Sequence, residues 1–213
     1  MKKSFFASMM IILFAMTGCG SGDVVVNVSP ALIKTTISSS LSLDGYVVEN
    51  PTTLALTSFQ NTASVFAGLD SATGAEYRAF IGFPLSGAGG VPVNAGIDSA
   101  TLDIVIRNVL TSSVSVPILI ELVSYSAPLQ PNDFDRIILP PQSPLTIKLN
   151  IFKTDVGKSV LVDVTALMRE AQRLRLPDFQ VRILEDLGIV TPGLIEIDNT
   201  NAFAPQLTVD YFF

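Results

Sequence analysis

From Leu41 onward, short apolar stretches alternate with turn residues, and that punctuation restricts the chain to strands of ordinary length stacked into a sandwich or barrel. The period is clearest at Ala100–Val109, where Leu102, Ile104 and Ile106 point one way and Thr101, Asp103 and Arg107 the other. Tyr77–Phe83 is apolar enough for a central strand, and Pro84 stops its ladder. Val114–Ser124 is a long β-rich run, and Pro117 within it points to an edge strand or a bulge. Gly87–Gly90 reads as a flexible loop, and Pro128, Pro131, Pro140, Pro141 and Pro144 mark a long, irregular crossover. Further strands are predicted at Leu145–Leu149, Val160–Val164, Phe179–Leu184, Leu194–Ile197 and Gln206–Phe213. One segment breaks the pattern: Val164, Leu167, Met168, Ala171 and Leu174 follow helical spacing, with Arg169, Glu170 and Arg173 on the other side. Asp163 or Thr165 can cap that helix and Pro177 ends it. The expected fold is all-β: a jelly-roll-like antiparallel β-sandwich with one short helix packed at its end.

The first residues are an address rather than part of that fold. Met1-Lys2-Lys3 is a basic start, Phe5–Met16 is an apolar run too short to span a bilayer, and small residues follow. Met16-Thr17-Gly18-Cys19 resembles the bacterial lipoprotein box, and Cys19 is the chain's one cysteine. The resemblance implies cleavage before Cys19, a diacylglyceryl thioether on its sulfur and acylation of its freed amine. Gly20 in the next position implies sorting to the outer membrane. The expected organisation is therefore a signal peptide at 1–18, a lipidated terminus and tether at 19–40 that can add a strand, and a sandwich domain at 41–213. No internal repeat is evident.

Five strings recur in an order that carries a second resemblance. They are Asp44-Gly45-Tyr46-Val47; Arg78-Ala79-Phe80-Ile81-Gly82-Phe83-Pro84-Leu85; Ile97-Asp98-Ser99-Ala100-Thr101-Leu102; Val162-Asp163-Val164-Thr165-Ala166-Leu167; and Pro205-Gln206-Leu207-Thr208-Val209-Asp210-Tyr211. Their order and spacing resemble the DNRLRE-type β-sandwich domain of secreted bacterial proteins, over roughly Asp44 to Phe213. That resemblance implies the sandwich fold and, through related carbohydrate-binding modules, a glycan as one candidate ligand.

Composition narrows the chemistry. With 13 Lys+Arg against 19 Asp+Glu in 213 residues, the chain lacks the basic surface nucleic acid requires. It has no His, so Ser–His and Cys–His catalysis and imidazole zinc sites are excluded, and no catalytic residue is assigned. The expectation is a non-catalytic, lipid-anchored envelope protein acting as a structural or protein-interaction module, with a carbohydrate-binding module of the cell surface as the alternative, and without a resident cofactor. Asp133 and Asp135 are candidate oxygen ligands for a structural calcium, joined by Asp98 or Asp44, although two carboxylates supply only part of the shell. As turn residues they would instead satisfy nearby backbone donors. There is no Trp, so sugar stacking would fall to Tyr46 and Tyr125, because Tyr77 and Tyr211 lie in phase with core positions. Arg78 is expected to meet an edge or a carboxylate, and Arg169, Arg173 and Arg175 to form a solvated flank. The expected partners are the lipid bilayer through Cys19 and an envelope protein or a glycan. The alternation of Leu207, Val209, Tyr211 and Phe213 also permits an outer-membrane β-barrel as a further alternative.

Overall fold

The structure, a computed structural model, describes residues 31–188 and 190–213. The leader, Cys19 and the first part of the expected tether lie outside the described residues. Among the described residues twelve strands form: β1 Ile33–Ser38, β2 Gly45–Glu49, β3 Leu56–Gln60, β4 Ser64–Leu69, β5 Glu76–Pro84, β6 Gly96–Thr111, β7 Ser115–Val123, β8 Thr146–Phe152, β9 Ser159–Asp163, β10 Asp178–Glu185, β11 Gly193–Asp198 and β12 Gln206–Phe212. The α-helix among the described residues, α1, spans Thr165–Arg173.

All pairings are antiparallel, and they build two layers from one curled sheet. The front layer runs β3-β2-β5-β10-β7-β8, and the back layer β1-β12-β6-β9. β6 joins them: its first part pairs with β12 and β9, and its last part with β11, which leads through β4 to β5. Alternation explains the filling. Leu102, Ile104 and Ile106 of β6 are fully buried against Ala79, Ile81 and Phe83 of β5 and Phe179, Val181 and Ile183 of β10. The fold is thus the expected all-β sandwich. It is not a closed lipid-facing barrel: among the described residues β1, β3, β8 and β9 each keep a free edge, and the apolar faces turn inward.

Helix α1 plugs one end of this core with Val164, Leu167, Met168 and Ala171, all fully buried. Asp163 accepts the Thr165 N–H at 2.9 Å, and the Thr165 hydroxyl ties the same turn to Ala100. The helix stops before Pro177, contrary to expectation. Arg175 takes a left-handed φ of 54°, its N–H bonds the Gln172 carbonyl, and the Leu176 N–H bonds that of Ala171. That is the usual glycine-type helix end, built here on an arginine.

Two further expectations are corrected. β7 is not an edge strand and shows no bulge: it lies between β10 and β8. Pro117 is tolerated because it stands opposite Asp186, just past the last rung of β10: its carbonyl accepts the Asp186 N–H, and its missing donor removes no bond from the ladder itself. The proline-rich segment is not a crossover either, because the strands it joins, β7 and β8, are neighbours. It is a long hairpin excursion that folds back over the outer face of the front layer. There Leu129, Phe134 and Leu139 pack with Val47, Phe80, Val123 and Tyr125 into a second apolar cluster. β1, finally, lies inside the stretch read as tether, whose strand-like Val24–Val26 falls outside the described residues.

Candidate functional site

The β2–β3 and β4–β5 hairpins end in tips built the same way. In the first, Asn50 Oδ1 accepts the Thr52 and Thr53 N–H groups at 2.9 and 3.0 Å, and the Leu54 N–H bonds the Asn50 carbonyl at 2.8 Å. In the second, Asp70 Oδ1 accepts the Ala72 N–H at 2.9 Å, Oδ2 accepts the Thr73 hydroxyl at 2.7 Å, and the Gly74 N–H bonds the Asp70 carbonyl at 2.7 Å. These bonds, Thr73's first, hold the Asp70 carboxyl below its usual range. Each tip closes on a left-handed residue, Leu54 (φ 57°) and Gly74 (φ 75°). The two tips lie side by side, close enough that a Cβ on Gly74 would sit 3.7 Å from the Pro51 ring.

Leu54 is two-thirds exposed and occupies a conformation that penalises side chains. We expect Leu54→Gly to raise stability by about 0.5–1 kcal/mol, the relief of left-handed strain less the added entropy of the unfolded chain. Urea unfolding checks it, and a destabilised variant would mean that the Leu54 side chain holds the tip.

Between the tips lies a hollow of about 440 Å³. It is lined by Tyr77 and Val48 and by the polar residues Asn50, Thr52, Thr57 and Thr73. Behind it, Tyr46 stacks on Phe59 with ring centroids 4.9 Å apart and planes 16° from parallel. Phe66 meets Tyr46 edge-on at 5.1 Å, and Tyr77 stands 6.0 Å from both Tyr46 and Phe66. Partial burial, with Tyr77 beside one phenol and Asp70 beside the other, raises the pKa of both Tyr46 and Tyr77. Phe59 remains 40 % exposed, so this is an aromatic group open to solvent.

The predicted residues fall as follows. Tyr46 belongs to this group. Tyr125 does not, which corrects its assignment as a free stacking surface. It is 8 % exposed, packs edge-on to Phe80 at 5.3 Å and donates its hydroxyl to the Leu43 carbonyl. Its backbone is clamped by Gln180, which accepts the Tyr125 N–H at 2.9 Å and donates to its carbonyl at 3.1 Å. Tyr211 is buried as expected, whereas Tyr77 is half-buried and lines the hollow, because β5 runs past the end of the core. Asp133 accepts the Gln130 N–H at 2.7 Å and Asp135 the Ile137 N–H at 2.7 Å, each within its own turn. Partial burial raises the Asp133 pKa. Asp44 is fully buried elsewhere, and among the described residues no three acidic, His or Cys side chains converge as a metal cage.

Arg78 meets a carboxylate, Glu76, at 2.6 Å. It also donates to the Phe134 carbonyl, and its guanidinium lies 3.8 Å over the Phe134 ring, fastening the proline-rich excursion to β5. Arg169 bonds the Ile97 and Asp98 carbonyls at 3.0 and 2.8 Å, and Arg173 pairs with Glu170 at 2.6 Å.

Sequence reasoning missed Phe59, Phe66 and the twin tips. A signal for them exists: Asn50-Pro-Thr-Thr-Leu-Ala and Asp70-Ser-Ala-Thr-Gly-Ala share an Asx residue, a Thr three places on and a closing Ala. No protein-family model matches the chain, and no curated protein sequence matches it.

Proposed function

We propose that the protein is a non-catalytic module of the bacterial envelope, held to the outer membrane by an acylated Cys19. Its β-sandwich presents the hollow between tips 50–55 and 70–75 to a glycan. The observation that carries this reading is the open aromatic group, Tyr46, Phe59, Phe66 and Tyr77, set beside a rim of hydroxyl and amide groups. A sugar ring offers that surface what it needs: apolar C–H faces for the rings and hydroxyls for the rim. The resemblance to the DNRLRE-type domain points the same way. A second reading, a protein-interaction module, is favoured by Ile137 and Ile138, which stand 89 % and 60 % exposed on the proline-rich excursion.

A glycan array probed with the purified protein, run beside a crosslinking pull-down, separates the two. We expect retention of a glycan class, weakened roughly tenfold or more by Tyr77→Ala or Phe59→Ala, since about 1.4 kcal/mol of lost stacking is one decade. No glycan retained, together with a protein captured by wild type and lost on Ile137→Ser, would replace the glycan reading with the second.

A further inference from the structure

The described chain begins on the side of the molecule remote from the hollow. β5 starts at tip 70–75 and ends at the loop of residues 85–95, and the chain's entry lies by that loop. Ile33 of β1 pairs with Tyr211 of β12, which pairs with Ile97 of β6. Ile97 shares a depression with Val93, Arg169 and Arg173, and the Thr35 hydroxyl donates to the Gly89 carbonyl at 2.6 Å.

Exposed apolar side chains gather at this entry. Leu32 is 58 % exposed, Val93 68 % and Phe213 65 %, with Ile33 beside them and the Phe213 ring edge-on to Tyr211 at 5.9 Å. Arg169 and Arg173 line the same depression as Val93, and Lys34 follows Ile33 on β1. Acids and bases offset one another here: Glu170 is paired with Arg173, Asp210 stands opposite Lys34 and accepts from Ser99, and Asp98 is exposed. The face is therefore no more acidic than basic, in a chain with 19 acids to 13 bases.

We propose that this face is a second membrane contact. Leu32, Ile33, Val93 and Phe213 enter the interface of a phospholipid bilayer, and the surrounding Lys and Arg side chains meet its phosphates. The inference rests on the acylation of Cys19 proposed above. Residues 20–30 can span at most about 40 Å, so an acylated Cys19 keeps this face within about one domain diameter of lipid. Acyl chains and an apolar patch with a charge-balanced rim then act as two signals for one surface. The consequence is orientation: the sandwich sits entry-face down, with the twin tips directed away from the membrane.

The test uses the lipidated protein isolated from membranes, its mass first establishing acylation of Cys19. Because an acylated Cys19 carries its sulfur as a thioether, Asn94→Cys beside the patch or Ser71→Cys in the far tip supplies the one free thiol and carries a single environment-sensitive fluorophore. The protein is reconstituted in phosphatidylethanolamine/phosphatidylglycerol vesicles containing brominated lipid. We expect quenching at residue 94 to exceed that at residue 71 by at least about twofold, because a seated apolar face lies about 5–10 Å into the interface. Equal quenching at the two sites overturns the seat while leaving the anchor standing. A mass without acyl chains overturns the anchor instead. The same two labels on protein carrying Cys19→Ser, added to the same vesicles, then decide the seat alone: preferential quenching at 94 upholds it and its absence removes it.

Discussion

Replacing Glu121 by alanine is expected to destabilise the protein by about 3–5 kcal/mol, the cost of leaving a buried charge without its partner. Glu121 and Arg182 are both fully buried, and Glu121 Oε2 lies 2.7 Å from Arg182 Nη2. Arg136 approaches the other carboxylate oxygen at 2.9 Å. Arg182 also donates to the Asp133 and Leu139 carbonyls at 3.1 Å each, so it binds the proline-rich excursion to β10 from beneath. Burial pulls the Arg182 pKa down, against the Glu121 carboxylate that holds it up. Removing the carboxylate therefore removes what makes a guanidinium tolerable there. The double replacement Glu121→Leu with Arg182→Leu should recover part of the loss, since paired apolar substitutes often match a buried ion pair. It should not recover all of it, because two carbonyls of the excursion lose their donor at about 1–3 kcal/mol each. Urea unfolding followed by circular dichroism measures the series. A Glu121→Ala variant within about 1 kcal/mol of wild type, the ceiling for an exposed pair, would mean that water reaches the pair.

The same region shows what periodicity can and cannot reveal. The inward set of β6, Leu102, Ile104 and Ile106, and the buried stripe of α1 were legible because each period is local and the core decides its phase. Which strands pair was not. β7 and β8 are neighbours across a proline-rich excursion, and no local pattern says whether such a segment crosses the sandwich or returns beside its own strand. Tyr125 was misread for a related reason. Its cover is the excursion itself, and the hint lay in β7, where Leu119, Glu121 and Val123 are buried on the face opposite Ile118, Ile120 and Leu122. A run apolar on both faces signals a second layer above the sheet. For Tyr77, phase named the correct face but not how far along β5 the back layer reaches. The aromatic group needed Phe59 and Phe66 from two further strands, and those contacts exist only once the hairpins are set side by side.

Asp44 should make stability fall as pH rises from about 4 to about 7, in the same direction as the smaller rises that burial gives Asp133, Asp178 and Glu185. The Asp44 side chain is fully buried where the chain turns from β1 into β2. Oδ1 accepts the Gly82 N–H at 3.0 Å, and no group among the described residues completes a hydrogen bond to Oδ2. Burial outweighs the help of Ser39 and Gly82 and raises the carboxyl from 3.8 to about 7. Between those values the folded protein holds a proton that the unfolded chain releases, so each step up in pH favours unfolding. The contribution is fully present below about pH 4 and gone above about pH 7, where its loss amounts to about 4 kcal/mol at about 1.4 kcal/mol per unit. Asp44→Asn keeps the acceptor for Gly82, supplies a donor toward Ser39 and has nothing to ionise. The variant should match wild type near pH 3.5 and exceed it by several kcal/mol at pH 8, a gap that opens across the window in which Asp44 titrates. Parallel unfolding curves for the two proteins at both pH values, with no widening between them, would show that Asp44 is ionised in the fold and finds water or a cation there.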